Sequence, residues 1–170
     1  MHKKIFPESM VLGCGNVLLG DDGFGPAVIA ALRDRRDLPP QVACHDVGTG
    51  VREHLFNFLL APDLAPRCLI LVDAVDSADR APAEVFLVSP AAAAPARDME
   101  RCLHQGPTVE LLCQLAGRAG TRVHVIAARA VHIPALVEPG LSPPMQGAVR
   151  RAAGLVLHLL SLPAATSEAS

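Results

Sequence analysis

Asp21 and Asp22 stand side by side at the end of a glycine-rich run that opens at Gly13-Cys14-Gly15-Asn16 and closes at Gly23-Phe24-Gly25. A glycine loop between an apolar segment and a helix usually serves phosphate, through free backbone N–H groups at the helix N-terminus. Here the spacing and the charge are both wrong for that task. In a dinucleotide-binding loop the third glycine follows the second by three positions, and in this chain that position is Leu18. In a P-loop the second glycine precedes Lys and then Ser or Thr, whereas Gly20 precedes Asp21 and Asp22. Paired carboxylates repel an anion and attract a cation. Asp73, at the end of the apolar run Cys68-Leu69-Ile70-Leu71-Val72, and His104, in a loop before a helix, add a third carboxylate and an imidazole. Donors of these types from separate loops suit a divalent ion held with open positions, as in catalytic or exchangeable sites. Oxygen and nitrogen donors do not choose strongly among zinc, nickel, iron and manganese.

The elements that must position these residues alternate. Strands are expected over 10–14, 41–46, 68–72, 84–88 and 122–128. Helices are expected from about Pro26, over 51–60, from Pro107 to the Gly117 region, and from Ser142, as N-cap, to Leu160. The unbroken apolar run of the third strand reads as a strand buried on both faces. The fold class is therefore α/β, a three-layer αβα sandwich with about five strands in a largely parallel, mixed sheet and helices on both faces. One domain over 1–170 is expected, with 163–170 a frayed tail and the Ala- and Pro-rich 89–97 stretch a loop. In such sheets functional groups gather beyond the carboxyl ends of the strands, where Asp21, Asp22, Asp73 and His104 all fall. Each residue also has a plainer use: an aspartate can cap a turn, an acidic residue can face a helix N-terminus, and a loop histidine can simply be solvated. Spacing leaves open which of Asp21 and Asp22 would be the ligand.

Composition narrows the partners. The net charge is −2, aromatic residues make up 3%, and neither Trp nor Tyr is present, which disfavours nucleic acid and anionic membranes. No apolar stretch reaches the length of a membrane span, and a cytoplasmic location is expected. The five cysteines are widely spaced without a Cys-x-x-Cys pair, so they read as reduced and mostly buried, with Cys14 and Cys102 as alternative nucleophiles.

These motifs, in order, resemble the hydrogenase maturation endopeptidases. The resemblance runs through Gly13-Cys14-Gly15-Asn16, Asp21-Asp22-Gly23-Phe24-Gly25, Asp46-Val47-Gly48-Thr49-Gly50, Leu71-Val72-Asp73-Ala74, His104-Gln105 and Leu141-Ser142-Pro143. It implies an endopeptidase that removes the C-terminal extension of a nickel–iron hydrogenase large-subunit precursor after nickel insertion. It further implies Asp22, Asp73 and His104 as the metal-contacting and catalytic residues, nickel delivered by the precursor, and Gly48, Thr49 and Gly50 at the rim where the substrate's tail lies. The family often has Glu at the position of Asp22, and a Gln-Pro or Glu-Pro pair where this chain reads Arg129-Ala130-Val131-His132. Two other readings stand beside it: a non-enzymatic nickel-binding chaperone or inactive member, which shares every site residue, and a nucleotide-binding oxidoreductase module, suggested by the α/β pattern and the glycine loop but opposed by the acidic pair.

Overall fold

Five strands carry about half of the buried apolar residues described, and their alternating side chains divide them between two faces. The computed structural model describes residues 7–88, 106–118 and 120–162. The strands are β1 (Ser9–Cys14), β2 (Val42–Gly48), β3 (Cys68–Val75), β4 (Val85–Val88) and β5 (Arg122–Arg129), and the helices are α1 (Phe24–Arg33), α2 (Val51–Leu60), α3 (Gly106–Arg118) and α4 (Pro143–Ser161). The strand order is β2-β1-β3-β5-β4. All neighbours pair in parallel except β4, which runs antiparallel to β5 at the edge.

The two-residue period of a strand sorts the core. Val11, Ile70, Val72, Ile126 and Ala128 point to the face covered by α1 and α4. Leu12, Leu69, Leu71, Val123 and Val125 point to the face covered by α2 and α3. β3 is fully covered on both sides, as its apolar run requires. The αβα sandwich with a mostly parallel mixed sheet is thus the observed architecture.

Three local expectations change. β3 continues through Asp73 to Val75, with Asp73 opposite Ala127 and Ala74 opposite Ala128 in the ladder. Asp73 is therefore a strand residue and not the cap of a turn. α1 starts at Phe24, because a 3-10 turn over Gly20–Gly23 feeds straight into it and takes Asp21 and Asp22 with it. Ser142 occupies the N-cap position of α4 but makes no side-chain cap bond; its hydroxyl is used elsewhere, as described below. The 89–97 loop, His104, Cys102 and the 163–170 tail lie outside the described residues. No helix among the described residues is long and apolar enough to cross a membrane.

Candidate functional site

The chain leaves β1 through α1 to β2 on one side, then returns to β3 on β1's other side, so the β1–β3 boundary is the switch point of this sheet. A cleft of about 170 Å³ opens there, above the carboxyl ends of both strands. Asp22 and Asp73 both line it, with Cys14, Gly48 and Thr49 beside them and Thr108 of α3 at the wall. The pleat explains Asp73: it follows Leu69 and Leu71 on the α2/α3 face, just past the point where apolar packing ends. Gly48 and Thr49 reach the rim because β2 ends beside β1, where the register shifts between Gly13 and Cys14 so that Cys14 pairs with Gly48. Gly50 is the N-cap of α2, its N–H closing a turn onto the carbonyl of Val47 at 2.9 Å.

The adjacent aspartates have separate tasks. Asp21 is fully buried. Its Oδ2 accepts the N–H groups of Val131 (2.9 Å) and His132 (2.8 Å) and the hydroxyl of Ser142 (2.9 Å), and its Oδ1 accepts the Ser142 N–H at 2.7 Å. One carboxylate thereby ties the glycine loop to the segment after β5 and to the start of α4, and it is not part of the cleft lining. Asp22 faces the cleft, and its Oδ2 accepts the Asn16 N–H at 2.7 Å.

The electrostatics of the cleft are one-sided. Burial, and then the charge of Asp22, push the Asp73 carboxyl from its ordinary 3.8 up to about 7, only partly offset by the backbone N–H of Ala74. The Cys14 thiol is pushed well above 9.0, chiefly by burial and then by Asp73, Asp46 and Asp22. A thiolate at Cys14 is therefore disfavoured, and with it a nucleophilic role for that residue. No serine or histidine is among the described residues of the cleft lining. Two carboxylates facing one cavity, where charge on one opposes charge on the other, are a donor set that a divalent cation would satisfy. Among the described residues no three His, Cys, Asp or Glu side chains gather closely enough to hold an ion.

The glycine run is not a phosphate cradle, for a reason visible in its backbone. The N–H groups of Gly15, Asn16, Leu18, Leu19, Gly20, Asp21 and Asp22 all donate to protein acceptors. An anion would find none of them free. Its glycines serve close packing: a Cβ at Gly15, where φ is +124°, would collide with the carbonyl of Asp22, and one at Gly25 would collide with the backbone of Cys14.

A family profile, HycI, hydrogenase maturation protease, matches residues 26–159. The chain belongs to the hydrogenase maturation protease family. The protease is 33% identical over 154 residues to the coenzyme F420 hydrogenase subunit delta of Methanothermobacter thermautotrophicus, covering 88% of this chain and 92% of that protein. Its fold superposes on the [NiFe] hydrogenase maturation protease HycI from Thermococcus kodakarensis KOD1 with a TM-score of 0.71, over 92% of this chain and 94% of that one, at 19% identity. The hydrogenase maturating endopeptidase HybD from E. coli aligns with a TM-score of 0.61 and 27% identity over 90% of this chain and 91% of its own. The protease is accordingly a hydrolase of peptide bonds. Sequence reasoning missed the Asp21 bracket and the presence of Thr108 in the cleft wall; the partners of Asp21 lie 110 to 121 residues further along the chain, and no local pattern announces them.

Proposed function

We propose that this protease removes the C-terminal extension of a nickel–iron hydrogenase large-subunit precursor in the cytoplasm, once nickel is in place. In this reading Asp22, Asp73 and His104 complete the coordination of nickel carried by the precursor, and Gly48, Thr49 and Gly50 border the path of its tail. One observation carries the reading: two carboxylates share a small cleft at the switch point, and Asp73 is held near neutrality by burial and by Asp22. Such a pair is strained electrostatically when alone and relieved by a divalent guest. Held by Asp22, Asp73 and His104, such an ion would supply a fixed point for the scissile segment and Lewis acidity toward its carbonyl. The protein's part is positional. The Asn16 N–H fixes one oxygen of Asp22, the Asp21 bracket holds the turn that presents it, and β3 holds Asp73 from an ordered ladder. A carboxylate oxygen of Asp22 or Asp73 left free by the ion would take the proton of an attacking water.

The test is to mix the protease with nickel-loaded and nickel-free precursor and record intact masses. The reading expects a shortened product from the nickel-loaded form alone. Binding without shortening would mark a nickel-dependent chaperone instead, and equal cutting of both forms would remove nickel from the account.

A further inference from the structure

An endopeptidase cuts inside a chain, so its substrate must leave the cleft in both directions. One exit is built into the surface. Gly15, Gly48 and Thr49 belong both to the cleft and to a shallower depression that runs over the end of β1 to Val17 and Asp46. Val17 and Asp46 in turn form the near edge of a larger cavity, about 430 Å³, on the α1 side of the sheet. Pro26, Ala27 and Ala30 of α1 line it, with Leu141 from the other side. Its volume lies within the range of small-ligand sites, about 300–1,000 Å³. The alanines leave the space unfilled, and Asp46 is the one charged residue among the described residues that line it.

The walls are ordered before any ligand arrives. The Glu138 N–H donates to the carbonyl of Leu18, and the Gly20 N–H donates to the carbonyl of Glu138, both at 2.9 Å. Asp21 fixes the Ser142 N–H next to Leu141. Loops tied in this way lose little freedom on binding. Val17 remains 52% exposed at the entrance, and Leu136 and Val137, in the segment tied to the glycine loop through Glu138, are 81% and 69% exposed. Apolar side chains left exposed on the glycine loop and on the segment bonded to it mark a surface meant to be covered.

We propose that this cavity is a specificity subsite, occupied by an apolar side chain of the substrate peptide on the segment that crosses the Gly15–Gly48 saddle. The inference rests on the reading of the Asp22–Asp73 cleft as the cutting site. It adds that tail sequence, and not the metal alone, selects the substrate. Filling the cavity with Ala27→Phe, or charging its mouth with Val17→Asp, then weakens recognition while leaving the carboxylates untouched. Both positions are at least partly exposed, so the fold tolerates the changes.

The experiment measures kcat/KM on nickel-loaded large-subunit precursor for wild type, Ala27→Phe and Val17→Asp. It is repeated with precursors in which each apolar residue flanking the scissile bond is changed to Gly. Loss of one well-filled apolar contact is worth about 10- to 100-fold. The proposal expects each protease variant to lose that much, and one tail substitution to cost wild type the same but Ala27→Phe almost nothing more. Wild-type rates in both variants, or losses that simply multiply for every tail residue, overturn it. So does a dimer that Val17→Asp disperses while cutting is unchanged, since a second copy would then be the occupant. If wild type itself does not shorten the precursor, the functional reading has failed and the subsite falls with it; normal cutting by wild type and both variants removes the subsite alone.

Discussion

Asp73→Asn separates the demands of the site from those of the fold. Raising a carboxyl from 3.8 to about 7 opposes folding by about 4 kcal/mol once the pH exceeds both values, at about 1.36 kcal/mol per pK unit. The sign follows from proton counting. Between those values the native state holds a proton that the unfolded chain has released, so stability falls as pH rises from about 4 to about 7 and levels off above. Asparagine keeps the shape and cannot ionise, though its amide also prefers water, which trims the expected gain to about 2–4 kcal/mol. For a chain of this size that raises the melting temperature by about 4–16 °C. Thermal unfolding of the metal-free proteins at pH 8 and pH 5 measures it. The variant should melt higher at pH 8, by less than half that margin at pH 5, and should not process precursor. A variant that melts no higher than wild type at pH 8 would refute the claim that Asp73 is held in the cleft against its own ionisation.

Four further outcomes follow from the same contacts. Asp21→Asn offers one acceptor oxygen to four donors and should lose about 2–4 kcal/mol, whereas Asp22→Asn keeps an acceptor for Asn16 and should stay within about 1 kcal/mol of wild type while losing activity; denaturant titrations in which the two melt alike would contradict their division of labour. Gly25→Ala drives a Cβ into the backbone of Cys14 and Val72 and should cost about 1–3 kcal/mol or more, while Gly154→Ala, with open space around it in α4, should gain about 0.5–1 kcal/mol. His124 has both ring nitrogens buried without a partner among the described residues, and burial, then Arg122, lower its pKa. Its native state favours the neutral ring, so stability is whole above about 6.5 and is lost as pH falls below it; His124→Val should gain on wild type between pH 7 and pH 5, and a shrinking margin would count against this. Finally, processing should rise with pH through the neutral region as Asp73 sheds its proton, and a profile flat down to pH 5 would exclude Asp73 and His104 together as ligands.

What could be read from the sequence, and what could not, divides along the range of the interactions. The apolar run 68–72 and the helix at Val51–Leu60 were legible because each is specified by neighbours within a few positions. The end of β3 was not, because a polar Asp73 ordinarily stops a strand, and only the pairing of Ala74 and Val75 with Ala128 and Arg129 carries it onward. The antiparallel course of β4 is likewise absent from four residues of apolar pattern; it depends on how the 76–84 segment turns at the top of the sheet. Asp22 and Asp73 fall in one cleft because Asp22 follows β1 and Asp73 lies near the carboxyl end of β3, parallel strands side by side, which the alternation of elements implied. Asp21 was ambiguous for the opposite reason. Its role is set by Val131, His132 and Ser142, and Ser142 satisfies the sequence rule for an N-cap while spending its hydroxyl on that distant carboxylate.

The claim beneath the whole account is that the carboxylates of Asp22 and Asp73 together receive a divalent ion. Anomalous diffraction from crystals soaked in nickel chloride measures this without the precursor. The account predicts a nickel peak in the cleft within ligand distance of both carboxylates, lost in Asp73→Asn. Nickel bound elsewhere on the surface, with that position empty at a concentration that saturates the other sites, would contradict it.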